Sequence, residues 1–425
     1  MNGKESPAGC RLDGKKLLIL GGGSDMISVT HLAQSMGCIV YVADYYDTLR
    51  SPAKLAADHY SDISIFDTDL VVQYIRDNQI DGVMTGYTDS YLMQYMTICK
   101  AAGLPYYGSE KAFGVATDKM LFKRACIEND VGAIPGTNAY DFASVEAFAA
   151  ENGFPLMLKP TDNSGSRGVI KCEEPSQLRS CYDYAMSYSH AKNIIVEKYM
   201  DCDSVVCSYQ LAGDKAYLSA FCDRDIYKSV ETGSAYTSQA RYPSPYLDRF
   251  LLEENDNMKR LFKNNGFSDG MVGVMGYVDE KGFYWCEMTY RPSGGHHYTL
   301  IKDQNGIDGL ALLIEFAVTG ETRSYDPKKE NPRFREYCGM IHIPGISGKR
   351  IASISGMDEI AALPFVLEVC EELRAGQTVG KEGTTAQTVA SFWIKGQDRL
   401  NYDNNVKKAV SMLRVCDPEG QSVLK

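Results

Sequence analysis

The stretch Lys159-Pro-Thr-Asp-Asn-Ser-Gly-Ser-Arg-Gly168 lies between two short apolar runs, residues 155–159 and 169–172, that are typical of strands. Its lysine ends the first run, and small polar residues follow. Backbone N–H groups of such a loop can close over a polyphosphate while the lysine ammonium group meets its oxygens. No Gly-Lys-Ser/Thr follows, so this is not a Walker A loop. The stretch predicts a strand–loop–strand unit that binds phosphates.

Four further motifs accompany this loop. Asp118-Lys119 precedes it, and Glu197-Lys-Tyr-Met200, Glu287-Met-Thr-Tyr-Arg291 and Ser293-Gly-Gly295 follow it. Phosphoryl transfer requires such lysine, carboxylate and arginine groups, because the protein's main task there is positioning and charge neutralisation. Taken alone, Glu197-Lys198 would be an ordinary surface pair, and Glu287 and Arg291 could form a structural ion pair.

Composition limits the class of protein. The chain has 425 residues, 44% of them hydrophobic, a length that predicts two or three domains. With 44 basic and 55 acidic side chains the net charge is −11, so we expect no nucleic-acid partner, although a local basic cleft can still bind one small anion. The 13 cysteines have neither disulfide nor zinc-site spacing, and no long apolar run occurs. We expect a cytoplasmic protein without a membrane partner.

Strand and helix patterns alternate after residues 1–13, which we expect to be a short leader. Apolar runs at 15–20, 38–43 and 80–85 predict strands, with helical patterns between them. This alternation predicts a doubly wound parallel sheet. The expected domains are residues 14–110, 111–305 and 306–425, the middle one comprising a lid subdomain of about 120–196 and a larger subdomain of 197–305.

The middle region is predicted to be α+β. It begins with one helix over residues 109–129 and contains hairpins at Gly213-Asp214 and Lys281-Gly282. Residues 306–425 combine helices at 308–319 and near 404–413 with short strands.

The turn Gly21-Gly-Gly23 raises a second hypothesis. It follows a strand, and Asp44 ends the next strand, where an acidic residue could bind a ribose hydroxyl. The third glycine position of the dinucleotide fingerprint holds Met26, so an NAD-dependent oxidoreductase is the less favoured alternative.

Taken in order, the four motifs around the phosphate loop resemble an ATP-grasp ligase of the carbamoyl phosphate synthase, biotin carboxylase and amino-acid ligase type. The resemblance runs from about residue 15 to residue 295. It implies an α/β and α+β multidomain fold: an N-terminal doubly wound sheet, an ATP-grasp domain of two α+β subdomains, and a small C-terminal α+β domain.

The resemblance implies ATP as the nucleotide. Lys119 and Lys159 match lysines that contact phosphates, the glycine-rich loop matches a lid over the triphosphate, and Glu197 begins a segment that matches the adenine-binding hinge. The residues it assigns to ATP are Lys119, Lys159, Asn163, Ser164, Gly165, Ser166, Arg167, Gly168, Glu197, Lys198, Tyr199, Met200 and Asp203.

The metal positions depart from the family pattern. Glu287 matches a carboxylate that bridges magnesium ions, but Thr289 replaces an asparagine and Met275 stands where a first metal-binding glutamate is expected. Magnesium usually retains several bound waters and is coordinated in part by substrate phosphates. Glu287 and Thr289, together with ATP, could therefore hold Mg²⁺ or Mn²⁺. The alternative is a degenerate site with little or no ligase activity.

The resemblance also implies a substrate side. Arg291 matches the arginine that stabilises the transferred group, and Lys159 is expected to act with it. Further residues expected at the substrate are Gly294, Gly295, His296, Arg241 and Asp89. Of the neighbouring His296 and His297, placed on a strand, we expect one to line the substrate site and the other to pack.

The implied reaction is ATP-dependent joining of a carboxylate and an amine through an acyl phosphate, with release of ADP and phosphate. The partners would be small molecules, with a homodimer as a possible assembly. The sequence does not name the carboxylate or the amine.

Overall fold

The computed structural model describes residues 11–161, 168–229 and 235–425. The strands are β1 (Lys16–Leu20), β2 (Ile39–Ala43), β3 (His59–Ser61), β4 (Gly82–Thr85), β5 (Gly136–Ala139), β6 (Leu156–Pro160), β7 (Ile170–Cys172), β8 (Ile194–Lys198), β9 (Asp203–Ala212), β10 (Lys215–Lys228), β11 (Ala235–Tyr242), β12 (Gly270–Val278), β13 (Phe283–Thr289), β14 (Tyr337–Pro344), β15 (Ser353–Ser355), β16 (Val366–Glu371), β17 (Thr388–Gly396) and β18 (Arg414–Cys416).

The α-helices accompany these strands in three regions of the chain. They are α1 (Met26–Ser35), α2 (Ala53–Ala56), α3 (Thr68–Asn78), α4 (Leu92–Ala102), α5 (Glu110–Thr117), α6 (Lys119–Glu128), α7 (Phe142–Asn152), α8 (Leu178–Ser187), α9 (Leu247–Glu253), α10 (Asn255–Asn264), α11 (His297–Asn305), α12 (Gly309–Thr319), α13 (Met357–Ala361) and α14 (Arg399–Met412). Within the described residues, none of these helices has the length and apolar character needed to cross a membrane.

A parallel sheet opens the fold. Its strand order is β3-β2-β1-β4, and β1 pairs in parallel with both β2 and β4. The last four residues of β1 and of β2 are buried, which explains their continuous apolar runs. The predicted doubly wound sheet is confirmed.

A small antiparallel sheet carries the phosphate-loop strands. Its order is β5-β8-β6-β7, and α7 and α8 pack on it around a separate apolar core. The strands β6 and β7 pair antiparallel on either side of residues 162–167, which lie outside the described residues. The predicted strand–loop–strand frame is therefore present.

The largest sheet has eight strands in the order β13-β12-β9-β10-β11-β14-β17-β16. The predicted hairpins are confirmed as β9–β10 and β12–β13, which both pair antiparallel. Strands from both sides of residue 305 share this sheet. The region from residue 306 onward thus extends the same sheet that carries Glu287.

The single helix predicted over residues 109–129 is wrong, because the backbone breaks at Asp118. This residue has φ −110° and ψ 113° and ends α5. Its side chain accepts hydrogen bonds from the N–H groups of Met120 (2.7 Å) and Leu121 (2.9 Å), which caps α6. The break makes Lys119 the first residue of α6.

Helix α12 packs against the parallel sheet. It contacts β4 and β1, and most of its residues are buried. A Cβ atom placed on Gly82 of β4 would lie 2.0 Å from the carbonyl oxygen of Ala317. Only glycine at position 82 permits this close approach, which ties residues after 306 to the N-terminal sheet.

We predict that Gly82→Ala destabilises the protein by about 3 kcal/mol, because the new methyl group meets helix backbone that cannot rotate away. Urea unfolding measures this change. Gly282→Ala is the matched control, since a Cβ there meets no atom within 4 Å, and its unfolding should shift little. A stable Gly82→Ala variant with an unchanged midpoint would contradict the tight packing of α12.

Candidate functional site

A buried carboxylate held by two lysines stands at the centre of the site. Glu197, on β8, is 2% exposed. Its Oε2 lies 2.5 Å from Lys159 Nζ on β6, and its Oε1 lies 3.0 Å from Lys123 Nζ on α6. Burial opposes ionisation of Glu197, but the two ammonium groups, Lys159 first, hold its pKa below the ordinary value. These ion pairs link β8, β6 and α6, and we call Glu197, Lys159 and Lys123 the triad.

The ion pair with Glu197 therefore fixes the position of the Lys159 side chain. Burial acts to lower its pKa, yet Glu197 raises it above the ordinary value, so Lys159 stays charged. The side chain keeps 21% exposure, which leaves its ammonium group accessible to a ligand. This geometry suits a lysine that meets an anion.

Lys119 faces the same region from the start of α6. Its Nζ lies 4.0 Å from Glu287 Oε1 on β13. It also lines a cavity of about 240 Å³ together with Asn138, Thr161 and Asn193. The cavity has room for part of a polar ligand beside β6.

The predicted hinge, residues 197–200, begins at Glu197, and backbone hydrogen bonds hold its next two residues in place. The N–H of Lys198 donates to Pro135 O (3.0 Å), and the N–H of Tyr199 donates to Pro155 O (3.1 Å). Lys198 is exposed, whereas Met200 is partly buried just before β9. These bonds fix the path of the segment that follows Glu197.

Two other predicted nucleotide positions have structural roles. Asp203 is exposed at the start of β9 and accepts a hydrogen bond from the hydroxyl of Tyr246. Gly168 has φ +77°, and a Cβ there would lie 2.5 Å from Tyr188, so this position requires glycine. The remaining loop candidates, Asn163, Ser164, Gly165, Ser166 and Arg167, lie outside the described residues.

Of the two predicted metal ligands, Glu287 and Thr289, only Glu287 is a carboxylate. Glu287 is 44% exposed, and Thr289 lies two residues further on the same face of β13. Met275 pairs directly with Glu287 across the strands, and its sulfur accepts a hydrogen bond from Arg224 Nη1 (3.0 Å). Within the described ranges, no group of three or more His, Cys, Asp or Glu side chains could hold a metal. Glu287 and Thr289 offer oxygen atoms, the kind of ligand that Mg²⁺ prefers, on one face of β13.

Arg291 and Asp89 meet, although they are far apart in sequence. Arg291 Nε and Nη2 donate to the two oxygens of Asp89 at 2.7 and 2.5 Å, and the arginine side chain is 12% exposed. Asp89 follows β4, so the pair joins the N-terminal sheet to the end of β13. A bidentate pair of this kind fixes the guanidinium plane.

The neighbouring histidines do not lie on a strand, so that expectation is wrong. His296 has φ +45° and caps α11, while His297 begins the helix. His296 is buried, with Nδ1 2.7 Å from Glu368 Oε1, and it stacks on Trp393. His297 contacts the Tyr242 hydroxyl through Nδ1, and burial, with Arg224 nearby, lowers its pKa to about 4.

The remaining substrate candidates differ in whether they already have hydrogen-bond partners within the protein. Gly294 is exposed, whereas the N–H of Gly295 donates to Ser293 Oγ (3.2 Å). Arg241 Nη2 donates to Asp225 Oδ1 at 2.6 Å, on the adjacent strand. Arg241 is therefore held by a carboxylate of the same sheet.

Asp44, the basis of the NAD alternative, is engaged by its own turn. It is buried and accepts hydrogen bonds from the N–H of Gly22 (2.9 Å) and the hydroxyl of Ser51 (3.0 Å). The carboxylate thus stabilises the loop after β1. This geometry favours the structural interpretation of the glycine turn.

Sequence reasoning missed Lys123 and Arg224. Lys123 lies four residues after Lys119, on the same face of α6, so helical spacing could have found it. Arg224 reaches Met275 only through the order of β10, β9 and β12 in the sheet. No local motif in the sequence signals that contact.

Known proteins match both the sequence and the fold. The family model described as D-ala D-ala ligase C-terminus matches residues 136–245. The formate-dependent phosphoribosylglycinamide formyltransferase of Bacillus velezensis is 26% identical over 310 residues, which cover 72% of this chain and 76% of the relative.

Two solved structures share the architecture. The L-amino acid ligase from Bacillus licheniformis has a TM-score of 0.79 at 15% identity and covers 95% of this chain and 99% of its own. The biotin carboxylase domain of Hydrogenobacter thermophilus 2-oxoglutarate carboxylase, solved with MgADP, ADP and bicarbonate, has a TM-score of 0.78 at 16% identity, with 97% and 91% covered.

The parallel sheet, the small antiparallel sheet and the large antiparallel sheet form an architecture shared with these ATP-dependent ligases. The family match over residues 136–245, the sequence relative and the shared architecture together support an ATP-grasp ligase.

We predict that Glu197→Gln costs about 3 kcal/mol of unfolding free energy, because two ammonium groups lose their counter-charge. Chemical denaturation at neutral pH measures the loss. Glu253→Gln is the control, since its pair with Arg249 lies on the surface of α9 and should contribute less than about 1 kcal/mol. Equal stability of the two variants would show that the triad does not hold the site together.

Proposed function

We propose that the protein is an ATP-dependent carboxylate–amine ligase that works through an acyl phosphate. One observation carries this proposal: Lys159 pairs with Glu197 at the start of the predicted hinge, and Lys119 pairs with Glu287 on β13. A half-exposed carboxylate among lysines suits a bound nucleotide triphosphate. The likeness to an amino-acid ligase and to a biotin carboxylase domain supports the same reaction class.

The nucleotide side has defined roles in this proposal. Lys119 and Lys159 bind the phosphates, and the backbone from Glu197 to Met200 binds the adenine edge. Glu197 keeps Lys159 charged and in place. Mg²⁺ or Mn²⁺, held by Glu287 and Thr289 with the phosphates, would supply further neutralisation of phosphate charge.

The substrate side lies at the end of β13. A substrate carboxylate oxygen attacks the γ-phosphorus, the bond from phosphorus to the ADP oxygen breaks, and an acyl phosphate forms. The amine nitrogen then attacks the acyl carbon, phosphate leaves with the bonding electrons, and the amine releases a proton. Arg291, aligned by Asp89, offsets negative charge on the transferred group, and the exposed backbone at Gly294 is open to an oxyanion.

A second candidate function is nucleotide binding with little or no ligase activity. It is favoured by Met275, whose thioether contacts Arg224 instead of offering a carboxylate to a metal. The two functions differ in turnover. A ligase releases ADP when both substrates are present, whereas a binding protein retains the nucleotide.

ADP release in the presence of Mg²⁺, ATP and pooled carboxylates and amines tests the proposal. We expect release that depends on both pools, and Lys159→Ala should abolish ATP binding because it removes a phosphate contact. Lys215→Ala, at an exposed position on β10, is the matched control. Tight ATP binding with persistent absence of turnover would support the second function, and NADH binding that survives Lys159→Ala would support an oxidoreductase.

We also predict that Arg291→Ala lowers turnover by about a hundredfold while ATP affinity changes little, since its charge is needed mainly as the phosphoryl group moves. Steady-state kinetics and calorimetric ATP binding separate the two effects. Equal losses of turnover and affinity would assign Arg291 to ground-state binding instead.

A further inference from the structure

Arg224 is a partly buried cation whose described partners are all neutral. On β10, its Nε and Nη2 donate to Ser204 Oγ at 3.1 and 2.8 Å. Its Nη1 donates to Thr237 Oγ1 at 3.3 Å and to Met275 Sδ at 3.0 Å. A guanidinium group has five N–H donors, so these contacts leave one Nη2 N–H for a ligand.

Five other cations of the site have a carboxylate partner. These pairs are Lys119 with Glu287, Lys123 and Lys159 with Glu197, Arg241 with Asp225, and Arg291 with Asp89. Within residues 11–161, 168–229 and 235–425, no carboxylate forms an ion pair with Arg224. A partly buried charge without a counter-charge is costly, and an anionic ligand would offset that cost.

The position of Arg224 indicates which anion it meets. Its contact Met275 stands directly opposite Glu287, so the guanidinium lies beside the strand pair that carries the proposed metal ligand. Directly paired residues of neighbouring strands project to the same face, so the anion is expected on the face of the sheet that carries Glu287.

The neighbouring histidine does not compete for this anion. His297 lies close enough to Arg224 for the guanidinium charge to help keep the imidazole neutral, together with burial, which is the larger cause of its low pKa. Of these two neighbouring side chains, Arg224 is therefore the one that carries positive charge.

We propose that Arg224 binds the phosphoryl group as it passes from ATP to the carboxylate, and then the phosphate that is released. This role rests on the proposed ligase function and adds to it a binding residue on β10. The thioether of Met275 is a weak acceptor, so phosphate oxygens can replace it without leaving a strongly polar group unpaired.

Calorimetric titration of inorganic phosphate into the chain saturated with MgADP tests this role. We expect Arg224→Gln to weaken phosphate binding by about tenfold or more, as the loss of a charge-assisted hydrogen bond does, with MgADP affinity unchanged. Arg224→Lys keeps the charge and should fall between the wild type and Arg224→Gln. Arg249→Gln is the control, because that arginine is also partly buried but pairs with Glu253.

The outcomes separate this inference from the proposed function. Wild-type phosphate affinity in a folded Arg224→Gln variant that binds MgADP would overturn the inference, and so would a wild-type MgADP complex that does not bind phosphate. Failure of the wild type to bind MgADP would overturn the proposed function itself. Thermal unfolding identifies a misfolded variant. If Arg224→Gln misfolds, Arg224→Lys decides: phosphate affinity below that of the wild type with unchanged MgADP affinity supports the inference, whereas wild-type phosphate affinity, or equal weakening in Arg249→Gln, contradicts it.

Discussion

The ionised carboxylate of Glu197 between Lys159 and Lys123 is the interaction on which the site depends. It joins β8, β6 and α6, and these elements supply the hinge, the end of the phosphate-loop strand and the helix that begins with Lys119. Two ammonium groups next to one another would repel, and a lone carboxylate at this depth would be costly. Together they fix each other's charge state. The ion pairs thereby fix the small sheet β5-β8-β6-β7 relative to α6.

Local charge and overall charge differ in this protein. The net charge of −11 disfavours extended polyanions, yet the site contains two partly buried lysines, Lys119 and Lys159, and two arginines, Arg224 and Arg291. Most of these cations are matched by a carboxylate in the described structure. Arg224 differs, because its partners there are neutral. A small anion can therefore bind where the surrounding surface would repel a large one.

Several parts of this arrangement could be predicted from the sequence. The strands β1 and β2 are continuous apolar runs because both faces of a parallel sheet are covered, and the β9–β10 and β12–β13 turns carry recognisable glycines. The helix break at Asp118 was missed because α5 and α6 share an uninterrupted helical pattern. The Arg224–Met275 contact depends on strand order in the large sheet, and the cap at His296 depends on a positive φ that histidine seldom adopts. Pairings of this kind arise from tertiary structure rather than from local spacing.

The most direct measurement is a crystal structure with Mg²⁺ and a non-hydrolysable ATP analogue. We expect the adenine edge against the backbone of residues 197–200, the phosphates between Lys119 and Lys159, and a metal at Glu287. A nucleotide bound at Gly21-Gly-Gly23, or phosphates placed away from both lysines, would contradict it.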